Sequence, residues 1–146
     1  MTRALIVVGA VLVLCIGGLV AAAVFLSPEK QTIAVDNLLA EDFSRAVARG
    51  GELRMERLAD DFDWDRLLIV ERGTGRDAVS AVVGTEFTGE VNFQTGDLIV
   101  FLDGKRVARF ADYRGEGSFE GFKRPIAEVL RSEAVFDVRG LVIRPG

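Results

Sequence analysis

The chain has no histidine, and that absence removes every Ser-His or Cys-His pair and every histidine-based zinc site. Its one cysteine, Cys15, lies inside an apolar run, so the rest of the sequence has no thiol for a disulfide and packing alone must hold it. Lysine is nearly as scarce. Lys30, Lys105 and Lys123 are the only three, and none lies in a motif that activates Ser80, Ser118 or Ser132, which argues against a serine-lysine dyad. No block of positive charge occurs. After Leu26, 17 Lys plus Arg face 22 Asp plus Glu across 120 residues, a net charge of −5. Nucleic acid and anionic lipid both need a concentrated basic surface, so neither is expected as a main partner. Carboxylates such as Asp97, Asp103, Asp112 and Glu116 are plentiful, but no spacing pairs two of them for acid-base work.

Against these absences stands one long presence: Ala4 to Leu26 is an unbroken apolar run without a charged side chain. As a helix its 23 residues span about 34 Å, enough to cross a hydrocarbon core of about 30 Å. A cleaved signal peptide is the competing reading, since Arg3 is basic and Ala21 to Ala23 offer a small-residue site. The run is longer than the roughly 7 to 15 residues of a signal core, and Val24, Phe25 and Leu26 continue past that site, so a retained bilayer anchor is expected. Cys15 follows Leu14, not the small residue that lipid attachment favours, and reads as an apolar side chain. Arg3 and Lys30 nearly cancel as topology signals. The short tail before the run still favours an inside N-terminus and an outside C-terminal domain. Gly17 with Ala21, and Gly18 with Ala22, have the small-xxx-small spacing that lets two membrane helices approach, which admits a homodimer.

Residues 27–35 read as a linker, with Pro28 limiting helix continuation, and residues 36–146 as one domain. Leu38, Leu39, Phe43, Ala46 and Val47 recur at helical spacing before Gly50 and Gly51, predicting an amphipathic helix over 36–49. Phe62 to Val70 predicts a strand that ends fully apolar, as a sheet covered on both faces requires. Thr74 or Asp77 is the expected cap of a helix running to Val83 and stopped by Gly84. Leu98 to Leu102 and Val107 to Tyr113 flank Asp103-Gly104, a hairpin signal. Gly115 to Gly121 reads as a loop, Pro125 to Arg131 as a short helix, and Ala134 to Arg139 as a final strand that Leu141 to Ile143 extends. The fold class is α+β: a single N-terminal membrane helix, then a small, mainly antiparallel sheet packed with two or three helices.

Phe62-Asp63-Trp64-Asp65, the segment Gly73 to Gly84, the run Leu98 to Val107 and Ala134-Val135-Phe136 together resemble small uncharacterised bacterial membrane-anchored proteins and lipoproteins. Those proteins share an aspartate-tryptophan strand and an apolar hairpin with an Asp-Gly turn. The resemblance covers roughly residues 60 to 138 and implies an envelope location in the bacterial inner membrane, with no activity and no catalytic residue to carry over.

Two motifs invite chemistry. Asp61, Asp63 and Asp65 open like a calcium loop, but the sixth position is Arg66 where glycine is needed and the twelfth is Arg72 where glutamate is needed. Gly73-Thr74-Gly75-Arg76-Asp77-Ala78 matches a dinucleotide fingerprint between a strand and a helix. A βαβ unit would then place an acidic residue on a second parallel strand about 20 residues later, where the sequence instead puts a hairpin. Neither metal nor cofactor is expected, and catalysis is not the favoured role. An envelope protein partner is, and the aromatic residues Trp64, Tyr113, Phe119 and Phe122 are its candidate contacts. A secreted domain and a carboxylate enzyme or accessory subunit at the membrane face are the alternatives.

Overall fold

The structure, a computed structural model, describes residues 33–146; the run Ala4–Leu26, with Gly17, Gly18, Ala21 and Ala22, lies outside the described residues. Among the described residues no helix is long and apolar enough to cross a membrane. The described chain is α+β, with strands outnumbering helices.

Helix α1 (Asn37–Arg49) begins where the sequence places it. The Asp36 side chain accepts the Leu39 N–H at 2.9 Å, and the Gly50 N–H closes the far end on Ala46 and Val47 carbonyls. Its buried face is Leu39, Phe43, Ala46 and Val47. Strand β1 (Gly51–Arg54) and a single turn α2 (Met55–Leu58) follow, then β2 (Arg66–Val70) and α3 (Arg76–Val83). The remaining elements are β3 (Asp97–Asp103), β4 (Arg106–Tyr113), β5 (Ser118–Phe119), β6 (Ile126–Leu130), β7 (Val135–Arg139) and β8 (Val142–Pro145).

The strands form two four-stranded sheets and not one. Sheet I has the order β1-β7-β8-β5 and sheet II the order β4-β3-β2-β6. All pairings are antiparallel except the two-residue contact of β5 with β8. Alternate residues of sheet II serve two cores. Leu67, Ile69, Ile99 and Phe101 pack with α1 and sheet I, whereas Leu68, Val70, Leu98 and Val100 pack with Val79 and Val83 of α3 and with Phe87. This double covering explains the continuous apolar runs of β2 and β3, since a strand dry on both faces has no polar side to show. Ile33 and Val35, in the stretch read as linker, pack against the α3-side core.

Five local expectations are corrected. The strand predicted from Phe62 begins only at Arg66. Before it, the Trp64 indole N–H donates to the Ala59 carbonyl at 2.9 Å, and Arg109 lies 4.4 Å over the Phe62 ring while pairing with Asp61. The helix predicted over Pro125–Arg131 is strand β6, because alternation wins: Ala127 is buried while its neighbour Glu128 is exposed, and the strand pairs with β2 from Val70↔Ile126 to Arg66↔Leu130. The single final strand is a hairpin of β7 and β8. Gly140 (φ 56°) and Leu141 (φ 66°) make a two-residue turn of the left-handed kind, which suits the strand twist. In the β3–β4 hairpin, Asp103 pairs with Arg106, so the turn residues are Gly104 and Lys105, one position later than expected. Helix α3 is capped by Gly75 without a side-chain bond, the Thr74 hydroxyl instead donating to the Glu71 carbonyl at 2.6 Å.

Phe101 sits where these layers meet, with no exposed surface and edge-on contacts to Trp64 at 5.0 Å and Phe62 at 5.3 Å. Phe101→Ala should lower unfolding stability by about 3–5 kcal/mol, the cost of a large aromatic cavity. A denaturant titration followed through the emission of Trp64, the chain's single tryptophan, measures it.

Candidate functional site

The chain passes from sheet II (β4) to sheet I (β5) and back to sheet II (β6). At that double crossing lies a cavity of about 220 Å³. Its lining comes from the end of β2 (Ile69, Glu71, Arg72), the start of β3 (Asp97) and residues 117–119 and 122–125.

Its apolar wall is fixed by a chain of aromatic contacts. Tyr113 meets Phe43 edge-on at 4.9 Å, Phe43 stacks on Phe119 at 5.9 Å, Phe119 meets Phe122 at 5.8 Å, and Phe122 meets Phe136 at 5.4 Å. Each such pair adds about 0.5–1.5 kcal/mol beyond burial, so Phe119 and Phe122 are held from behind. Gly117 allows the close approach. It donates its N–H to the Tyr113 hydroxyl at 2.9 Å, and a Cβ there would fall 2.5 Å from that oxygen and 2.8 Å from Val47 Cγ1.

The charged lining is partly self-satisfied. Arg124 pairs with Glu71, and Asp97 Oδ1 accepts the Arg72 backbone N–H at 2.8 Å. The Arg72 and Lys123 side chains have no ion pair among the described residues. Ser118 and Lys123 both line the cavity, and no hydrogen bond joins them.

Three of the four aromatic residues singled out from sequence therefore meet here. Tyr113 (3% exposed) and Phe119 (7%) are buried and Phe122 is half-buried. Trp64 (3%) belongs to another cluster, with Phe101 in edge contact and the Arg131 guanidinium 5.1 Å from its ring. Trp64 and Tyr113 are buried rings with almost no exposed face, whereas Phe119 and Phe122 border the cavity.

The carboxylates of the calcium-like series have separate tasks. Asp61 pairs with Arg109 at 2.9 Å and Asp65 accepts the Gly104 N–H at 2.9 Å. No group of three His, Cys, Asp or Glu side chains able to hold a metal is found among the described residues. The glycine-rich turn is tied to the chain by the Gly73 N–H, which donates to the Phe93 carbonyl at 2.7 Å. Strands β2 and β3 on either side of α3 are antiparallel, so the βαβ unit that a dinucleotide turn serves is absent. Asp112 is buried; its Oδ2 takes Arg114 at 2.6 Å, and its Oδ1 has no hydrogen-bond partner among the described residues and faces Gly96, where a Cβ would lie 2.5 Å away.

Sequence reasoning passed over Glu71, Arg72, Lys123 and Arg124. For Lys123 and Arg124 the one signal was Phe122-Lys123-Arg124-Pro125, an adjacent basic pair between apolar residues in an acidic chain; Glu71 and Arg72 had none.

No protein-family model, curated protein or solved structure matches the chain.

Burial pushes the Tyr113 hydroxyl up from its ordinary 10.0, the Gly117 N–H opposes that, and the Asp97 and Glu116 carboxylates add to it. A raised value means the unfolded chain loses the phenol proton first. The stabilisation is thus complete below pH 10 and is lost as pH rises through the folded value. Tyr113 is the only tyrosine, so phenolate absorbance titrates it alone, and its midpoint should fall to the ordinary value in denaturant. Tyr113→Phe should abolish that part of the alkaline loss and, by leaving the Gly117 N–H without its acceptor, cost about 1–3 kcal/mol at neutral pH.

Proposed function

We propose that the chain is a single-pass membrane-anchored envelope protein whose domain, outside the cytoplasm, acts by binding and not by catalysis. The anchor half of this reading is supported by the uncharged length of Ala4–Leu26.

One observation carries the binding half. The cavity at the β5–β6 crossing gathers charged and apolar groups, and no hydrogen bond among its side chains joins a nucleophile to a base. Glu71 is held by Arg124, Asp97 by the Arg72 N–H, and Ser118 lacks a hydrogen bond to Lys123. A nucleophile needs a base hydrogen-bonded beside it. The cations without an ion pair, Arg72 and Lys123, line the same cavity as Phe119 and Phe122, a combination that suits holding a ligand.

The test is expression in a bacterial host with a C-terminal reporter active only outside the cytoplasm, with fractionation and sizing of the product. Activity at full length in the membrane fraction is expected. Soluble release with a loss of about 2–3 kDa, the mass of a cleaved leader of signal-peptide length, would establish secretion instead. A silent full-length membrane product would turn the domain inward.

A further inference from the structure

We propose that the cavity at the β5–β6 crossing binds a monovalent organic anion, a carboxylate on a short or ring-sized apolar body. This inference rests on the binding reading above and adds the class of ligand.

Charge is the first observation. Arg72, Lys123 and Arg124 outnumber Glu71 and Asp97 in the lining, although the chain beyond Leu26 carries a net −5. The local sign is therefore the reverse of the global one. Within the site, Arg124 pairs with Glu71, and the Asp97 carboxylate offsets one of the two remaining cations, Arg72 and Lys123, neither of which has an ion pair among the described residues, so the lining is left one positive charge in excess. One excess positive charge is satisfied by one carboxylate. A dianion would over-neutralise the site and stand against Glu71 and Asp97 as well. Arginine's planar fork matches the two carboxylate oxygens, and lysine adds a point charge from its flexible stem.

Shape is the second. At about 220 Å³ the cavity is smaller than the roughly 300–1,000 Å³ of a drug-sized ligand site, which limits the body to a short chain or a single ring. Ile69, Phe119, Phe122 and Pro125 give that body an apolar wall. Because Phe119 and Phe122 are braced by Phe43 and Phe136, the wall is set before a ligand arrives, and little ordering cost falls on binding.

The probe is 4-fluorobenzoate, followed by fluorine NMR line broadening against the full chain in an uncharged detergent. Its neutral partner is 4-fluorobenzamide. Saturable binding of the acid is expected, with the amide weaker by about tenfold or more, the scale of a charge-assisted hydrogen bond. The double variant Arg72→Gln/Lys123→Gln should lose acid binding by a similar factor at unchanged Tm, since both side chains are exposed. Arg45→Gln, on α1 and paired with Glu41 and Asp42, should bind as the parent does. Displacement by N-acetyl-alanyl-phenylalanine but not by its C-terminal amide would identify the carboxylate as a peptide end. Displacement by phenylacetate alone would identify it as a free acid. Both support the site. Equal binding of acid and amide, preferential displacement by inorganic phosphate, or unchanged binding in the double variant would overturn it. The two readings fail separately: a silent reporter would not touch this titration, and a failed titration would leave the anchor in place.

Discussion

Water reaches neither face of β3. From Leu98 to Leu102 every side chain is 2% exposed or less, so a layer must lie on each side of sheet II before its central strands can be dry. α1 and sheet I supply one layer, α3 and the segment around Phe87 the other. The rest of the architecture follows from this demand. Arg109 shows how tightly the layers are fastened at one edge, since it joins the α1 cap residue Asp36 at 3.2 Å, Asp61 at 2.9 Å and the Phe62 ring.

The double covering also creates the cavity. A chain that finishes β4 in sheet II must travel to sheet I to form β5 and return for β6, and two residues of parallel pairing are all that β5 contributes to its sheet. So short a strand cannot fill the space between sheets with its own side chains. The aromatic series from Tyr113 to Phe136 fills most of it, and the remainder is the hollow under Phe119 and Phe122. Charges gather at the rim because the strand ends Glu71–Arg72 and Asp97 reach it from one sheet and Lys123–Arg124 from the returning loop. The binding reading and the geometry of the crossing thus have one origin.

How much was legible depended on whether a segment's own pattern or a distant neighbour decided its state. α1 was legible because its apolar spacing and terminal glycines agree, and β3 with β4 because an apolar run, a turn and a return are local. β6 was not. Ile126-Ala127-Glu128-Val129-Leu130 is neutral between helix and strand, and only the free edge of β2, more than fifty residues earlier, makes it a strand. β1 was missed because Gly51-Glu52-Leu53-Arg54 carries one apolar residue, and its partner β7 lies at the far end of the sequence. The candidate site suffered in the same way. Composition pointed to Tyr113, Phe119 and Phe122, whereas the unpaired cations beside them stand out only after Glu71 has claimed Arg124.

Sheet I has a further property, visible in its order. Its two central strands, β7 and β8, come late in the chain, and its edges β1 and β5 come earlier, so Gly51 must wait for Val138 and Ser118 for Val142. Such long-range pairings close large loops before any contact rewards them, which slows folding. Helix α1 can pack on β4 before sheet I is complete, so the cover that Phe136, Val138 and Ile143 add to the cluster of Leu39, Phe43 and Val47 is the last to be laid down.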